Sequence, residues 1–137
     1  MNITNIPFVK TVGIERNNQL LLQLKYHSGV YNHLETIHAS AQFALAETAS
    51  GDLLYPLFPE LVGHVIPVVR SSSVKLRKPA NSTITAMPVI NSAASEIFMK
   101  QLSDKGRASI DINVERKNNE GEITCKATFK WFVQLIK

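Results

Sequence analysis

The 137-residue sequence contains a single cysteine, Cys125, and therefore neither an internal disulfide nor the paired thiols of a metal site. No apolar run approaches the roughly 18 residues needed to span a bilayer. The first residues also lack the basic and apolar regions of a secretory signal. We therefore expect a soluble, cytoplasmic protein with no metal site and no membrane partner.

Familiar catalytic motifs are absent as well. The sequence has no G-x-S-x-G nucleophile elbow, no glycine-rich phosphate loop and no H-E-x-x-H metal motif. Its net charge of +4 is small, and aromatic residues make up only 7% of the chain. Nucleic-acid-binding proteins typically show a broader basic surface interleaved with aromatic residues, so we expect no nucleic-acid partner.

What is present indicates one packed α+β domain, 1–137. Hydrophobic residues make up 45% of the chain, enough for one core. Alanine-rich helix propensity predicts a long helix over 37–54, and apolar periodicity predicts a short one over 94–102. Six strands are expected, in the hairpins 11–26 and 108–135 and in the segments 65–78 and 82–90. Strands segregated from one long helix indicate a mainly antiparallel sheet.

The long helix is slim and largely apolar, because it carries many alanines and few charges; Thr36 is its expected N-cap. Such a helix needs close neighbours on most sides, which predicts a central helix embraced by the sheet. Between His38 and Asp52 its only charged residue is Glu47. That carboxylate either faces solvent through a gap in the packing or lies in a partly apolar cleft, which would make it a candidate site residue.

The start of this helix is a second candidate feature. The first backbone N–H groups of a helix lack partners and carry the positive end of its dipole. They can therefore hold an oxygen that becomes negatively charged during a reaction. The small residues Ala39 and Ser40 would let a substrate approach closely. Every helix has such an N-terminus, so this feature alone does not identify a function.

Together, segments 32–40 and 43–47 resemble the signature of hotdog-fold thioesterases in the branch related to phenylacetyl-CoA thioesterase. That family shows an Asn, a Gly three residues on, then His-Gly-Gly, and an Asp or Glu nine residues after the His. Asn32, His38 and Glu47 lie at those spacings. The resemblance implies a hotdog fold, in which an antiparallel sheet wraps around one long central helix.

The resemblance extends over nearly the whole chain, from about residue 11 to residue 133. Segment 69–80, which ends in Pro-Ala, is similar to a strand of the family. Segment 129–133 resembles a less characterised branch of the same superfamily.

The resemblance also implies an activity, the hydrolysis of an acyl-CoA thioester, with no cofactor besides the coenzyme A of the substrate. Glu47 would be the nucleophile or the general base that activates water, and the Ala39 N–H would polarise the thioester carbonyl. Asn32 would orient the substrate or the attacking water, and His38 would support the loop. Because active sites of this family lie at a dimer interface, we expect self-association to a dimer or tetramer.

Eight further residues are expected to bind the substrate. Those placed near the reacting group are Ser40, Phe43, Ser72 and Ser73. Those that would reach the coenzyme A phosphates, or would simply form a solvated strand edge, are Arg70, Lys75, Arg77 and Lys78.

The sequence departs from the family pattern at three glycines, which are replaced by Glu35, Ala39 and Ser40. Two alternatives to hydrolysis stay open, the first motivated by these replacements and the second by the presence of a His and an acid. One is a non-catalytic binder of acyl-CoA or fatty-acyl ligands that uses the same cleft. The other is a hotdog dehydratase or hydratase acting on acyl-carrier substrates with His38 and Glu47, although the proline-rich His loop of those enzymes is absent.

Overall fold

The structure is a computed structural model that describes residues 2–136. Its helices are α1 (Pro7–Val12), α2 (Ala39–Leu54) and α3 (Ser92–Lys105). Its strands are β1 (Ile14–Arg16), β2 (Leu22–Leu24), β3 (Val65–Leu76), β4 (Ile84–Val89), β5 (Arg107–Lys117) and β6 (Ile123–Leu135). Short 3₁₀ turns complete the described secondary structure. None of the helices within residues 2–136 is long and apolar enough to cross a membrane.

All six strands form one sheet in the order β1-β2-β4-β5-β6-β3, and every neighbouring pair is antiparallel. The helix α2 packs on β2, β4, β5 and β6, and most of its residues are buried. The prediction of an α+β hotdog fold, with a sheet around one central helix, is confirmed. We call the side of the sheet that packs on α2 the inner face and the opposite side the outer face.

The alternation of β5 shows why the sheet has two different faces. Its residues Ile110, Ile112 and Val114 are buried on the inner face, while Asp111 and Asn113 between them are exposed. Because successive side chains of a strand point to opposite sides, this pattern commits the strand to one orientation. The second hairpin, formed by β5 and β6, is present as predicted.

A bulge in β3 changes which side chains face the helix. The register with β6 shifts between Val69 and Ser71, leaving one extra residue on β3. Beyond the bulge Val74 pairs with the buried Ala127, so it lies on the inner face. Lys75, the next residue, lies on the outer face.

The first hairpin is shorter than the predicted segment 11–26, because residues up to Val12 belong to α1. It consists of β1 and β2, and it begins at Ile14. Pro7 occupies the first helical position, and Gly13 ends the helix with a φ of 92°. These are common start and stop signals, but six residues carry too little apolar periodicity to predict a helix.

The starts of the two longer helices also differ from the prediction. The N-cap of α2 is His38 and not Thr36, because the Ile37 N–H donates to the Ala80 carbonyl at 2.7 Å and holds the chain extended. The helix α3 is longer than the predicted 94–102, since the Asn91 side chain caps it by accepting from the Ala94 N–H. The strand segments end at Leu76 and Val89, slightly earlier than predicted.

Candidate active site

A cleft of about 590 Å³ opens beside the first half of α2. It is bounded by α1, α2 and the end of β3, and its lining residues are Phe8, Ala39, Ser40, Phe43, Ala44, Glu47, Val74 and Leu76. Four residues proposed from the sequence thus meet in one place, namely Glu47, Ala39, Ser40 and Phe43. The other four were not among the predicted site residues: Ala44 lies on α2, Phe8 belongs to the short helix α1, and Val74 and Leu76 face the cleft because of the bulge in β3.

The Glu47 carboxylate is half-buried on the apolar wall of this cleft. Phe43, one turn earlier in α2, packs edge-on against Phe129 of β6 with ring centroids 5.4 Å apart. Loss of hydration in these surroundings raises the pKa of Glu47 above its ordinary value. A carboxylate of this kind binds protons more strongly than one in water and is therefore a better general base.

The start of α2 presents one free donor to the cleft. The Ser40 N–H donates to Nδ1 of His38 at 3.0 Å. Within residues 2–136 the Ala39 N–H has no acceptor, as expected for the first residue of a helix. His38 therefore caps the helix, while Ala39 leaves its N–H available to a ligand.

Among the residues that the structure describes, the Asn32 side chain forms hydrogen bonds only within its own loop, residues 32–36. Its Oδ1 accepts from the N–H groups of Leu34 and Thr36 at 2.8 and 3.0 Å, and its Nδ2 donates to Thr36 Oγ1 at 2.7 Å. Asn32 is not among the residues that line the cleft. In one protomer it shapes the loop that leads into α2, and a direct role toward substrate stays a prediction.

Glu35 occupies a backbone conformation that favours glycine. Its φ is 59°, in the left-handed region that L-residues rarely adopt. The Tyr26 hydroxyl donates a hydrogen bond to the Glu35 carbonyl and helps to hold this turn. The glycine expected here from the hotdog resemblance is therefore replaced while its backbone conformation is kept.

The strand residues expected to bind substrate do not lie together. Ser72 pairs with the buried Phe129 on the inner face, whereas Ser73 pairs with Thr128 on the outer face. The guanidinium of Arg70 stacks over Phe132, 3.8 Å from the ring centroid, again on the outer face.

The other cations predicted to bind phosphate also lie in different places. Lys75 is on the outer face, and the Lys78 ammonium pairs with the Glu122 carboxylate. Arg77 directly follows the cleft residue Leu76 and is exposed. Lys75 and Arg77 both flank the cleft residue Leu76 in the sequence, but Lys75 lies on the outer face.

Within the described residues no group of three or more His, Cys, Asp or Glu side chains is arranged to hold a metal ion. Cys125 is buried on the inner face of β6.

A family model matches residues 1–133, under the description DUF4442, a domain of unknown function. The chain belongs to the DUF4442 family. No curated protein matches it.

Solved structures resemble this DUF4442 protein at low sequence identity. A probable thioesterase from Pseudomonas aeruginosa aligns over 98% of this chain and 91% of its own, with 19% identity and a TM-score of 0.80. A protein of unknown function from Chlorobaculum tepidum covers 96% and 88%, with 17% identity and a TM-score of 0.84. A Bacillus halodurans protein crystallised with CoA covers 89% and 72%, with 21% identity and a TM-score of 0.68. These similarities establish that the chain shares the hotdog fold of these proteins.

Proposed function

We propose that this DUF4442 protein hydrolyses acyl-CoA thioesters, with Glu47 as the base or nucleophile and the Ala39 N–H as the donor to the carbonyl oxygen. The observation that carries the proposal is the desolvated Glu47 carboxylate in an apolar cleft that also contains the start of α2. The structural likeness to a probable thioesterase and to a CoA-bound protein supports this choice of reaction and substrate.

In the hydrolytic step, Glu47 accepts a proton from water, and the water oxygen attacks the carbonyl carbon. The carbon–sulfur bond then breaks, and the departing thiolate takes up a proton. Negative charge develops on the carbonyl oxygen during the attack, and one well-placed donor such as the Ala39 N–H stabilises it by about 3 kcal/mol. Alternatively, Glu47 attacks the carbonyl itself, and water hydrolyses the resulting anhydride.

The two groups are too far apart on one helix to act on one carbonyl. Ala39 and Glu47 are separated by eight residues, a rise of about 12 Å along the helix axis. Both would have to lie within about 3 Å of the same thioester group or of its attacking water. We therefore expect a site that combines Glu47 of one protomer with the Ala39 N–H of a second copy, which agrees with the expected dimer.

The test of this proposal is thiol release from a panel of short, long and aromatic acyl-CoA esters. Glu47→Gln, which keeps the shape of the side chain but cannot accept the proton, is expected to lower turnover at least about 100-fold. Glu96→Gln, at an exposed position of α3, is the matched control and should retain full activity. Full activity of Glu47→Gln would disprove the mechanism.

The Ala39→Pro variant tests the backbone donor separately. Proline is well tolerated at the first helical position, and the extended backbone of His38 (φ −59°, ψ 141°) suits a residue that precedes proline. This change removes one N–H without breaking a helical hydrogen bond. We expect a folded protein that has lost thiol release, with circular dichroism as the check on folding.

A non-catalytic acyl-CoA or fatty-acyl binder is the second candidate function. It is favoured by the replacement of the family's glycines, which puts a methyl group at Ala39 and a carboxylate at Glu35 near the helix start. Calorimetric binding of CoA esters without thiol release would support it. The triple variant Glu35→Gly, Ala39→Gly and Ser40→Gly would then be expected to gain turnover.

A further inference from the structure

The outer face of the sheet is strongly basic. Six cations lie on this side of β3, β5 and β6. Four of them have strand neighbours that are buried on the inner face, Lys75 is the register partner of Lys126, and Arg70 stacks on Phe132. They are Arg70, Lys75, Arg107, Lys117, Lys126 and Lys130. The same strands contribute two carboxylates to this face, Asp111 and Glu115.

This excess of four positive charges equals the net charge of the whole chain, +4. The rest of the molecule therefore carries equal numbers of cations and anions. The net charge of the whole chain is therefore concentrated on one surface, the outer side of the antiparallel sheet. Concentrated charge of one sign attracts partners of the opposite sign and accelerates their encounter.

The two carboxylates neutralise only part of the face. The Lys126 ammonium lies 3.6 Å from Glu115, and the Lys130 ammonium lies 3.6 Å from Asp111. Between them Thr128 donates a hydrogen bond to Asn113 at 2.7 Å, so the middle of the face is an ordered polar surface. It offers hydrogen-bonding groups as well as positive charge.

An acidic protein fits this surface better than the other candidate occupants. A second copy of the chain that stacked face to face would place two surfaces of the same positive charge against each other. A nucleic acid would bring its phosphates onto Asp111 and Glu115, which lie in the middle of β5. Spaced carboxylates on a folded protein can pair with the cations and avoid these two positions.

The outer face lies next to the mouth of the cleft, so a protein bound there could present a substrate to the cleft. Lys75 and Lys126 are register partners on the outer face, close to the end of β3. Leu76, the next residue after Lys75, lines the cleft that contains Glu47. A partner held at Lys75 is therefore beside the mouth of the cleft, and a flexible arm from it can pass the end of β3.

We propose that the outer face docks an acidic acyl carrier protein, whose phosphopantetheine arm presents the acyl thioester to the Glu47 cleft. This inference rests on the proposed thioesterase function and specifies its substrate class, because the docked carrier takes the place of free coenzyme A. The carrier binds through charge, and the acyl group binds in the apolar cleft.

The test compares one acyl group attached to CoA and to an acidic acyl carrier protein. In the double variant Lys126→Gln/Lys130→Gln, KM for the carrier substrate is expected to rise about tenfold, since two docking charges are lost. Turnover of the CoA ester is expected to be unchanged. The matched control is Lys100→Gln/Lys105→Gln on α3, which removes the same charge from another surface and should change neither.

A binding measurement separates this inference from the proposed reaction. Calorimetry with the holo carrier protein, which bears no acyl group, needs no catalysis and stays informative if no thiol is released from any substrate. Binding by the wild type that weakens about tenfold in the outer-face variant supports the proposal. Absence of carrier binding, equal weakening in both double variants, or dissociation of the oligomer by the outer-face variant would overturn it. So would capture of duplex DNA or anionic vesicles in place of the carrier.

Discussion

At the residue scale, the burial that makes Glu47 a candidate base also affects the stability of the folded protein. Burial raises the pKa of Glu47 in the folded protein. The folded protein therefore binds this proton more tightly than the unfolded chain does. The resulting stabilisation is fully present below the pKa of Glu47 in the unfolded chain, about 4.3, and it is lost as the pH rises through the pKa of Glu47 in the folded protein. Glu47→Gln should unfold at higher urea than the wild type at pH 7, with the difference shrinking toward pH 4. A difference that is the same at both pH values would contradict this account.

Arg116 leads to a second prediction at this scale. Its side chain is fully buried on the inner face, and none of its three nitrogens has a hydrogen-bond partner within residues 2–136. Burial lowers the pKa of Arg116, which reflects the cost of removing the cation from water. Replacement by methionine should raise the free energy of unfolding by about 1–3 kcal/mol.

The control for this substitution is Arg107→Met. Arg107 lies on the same strand but is exposed, so its loss should change stability by less than about 0.5 kcal/mol. Chemical denaturation of both variants measures the effect. Strong destabilisation by Arg116→Met would show that the guanidinium has a stabilising partner in solution.

At the element scale, the contact of α2 with β6 holds the central helix in place. The Trp131 indole N–H donates to Ser50 Oγ at 2.8 Å, and both side chains are buried. A Cβ added at Gly51 would lie 3.2 Å from the same indole ring, so a small residue is needed there. Together with the Phe43–Phe129 ring contact, this hydrogen bond and this close approach join the helix to the strand.

Ser50→Ala tests this contact. The buried indole N–H loses its acceptor, so the free energy of unfolding should fall by about 1–3 kcal/mol. Ser103→Ala, at an exposed position of α3, should be close to neutral. Thermal unfolding of both variants provides the comparison, and equal stability of the two would show that the indole hydrogen bond contributes nothing.

At the scale of the whole molecule, the proposed mechanism requires two protomers. Mixing Glu47→Gln with Ala39→Pro, each inactive alone, produces mixed dimers in which one of the two sites keeps both groups. Random exchange of subunits should restore about a quarter of the wild-type thiol release. Light scattering should show at least a dimer of the 15.2 kDa chain. A monomer, or no recovery after subunit exchange, would exclude a shared site.

Local patterns in the sequence were enough to predict much of this protein. Alternation identified β5 and β6, alanine content identified α2 as a central helix, and spacing singled out Ala39 and Glu47. The features that were missed are short or ambiguous, such as α1 and the exact first residue of α2. Neighbours in the sequence decide propensity and periodicity, so these properties can be read without the fold.

The tertiary structure alone decided which surfaces those residues share. The β3 bulge decides which member of each neighbouring pair faces inward: Leu76 lines the cleft while Lys75 lies on the outer face, and Ser72 faces inward while Ser73 faces outward. The concentration of positive charge on the outer face likewise follows from the pairing of β3 with β6. Because these strands lie far apart in the sequence, their register depends on long-range packing, and a shift of one residue would reverse every face.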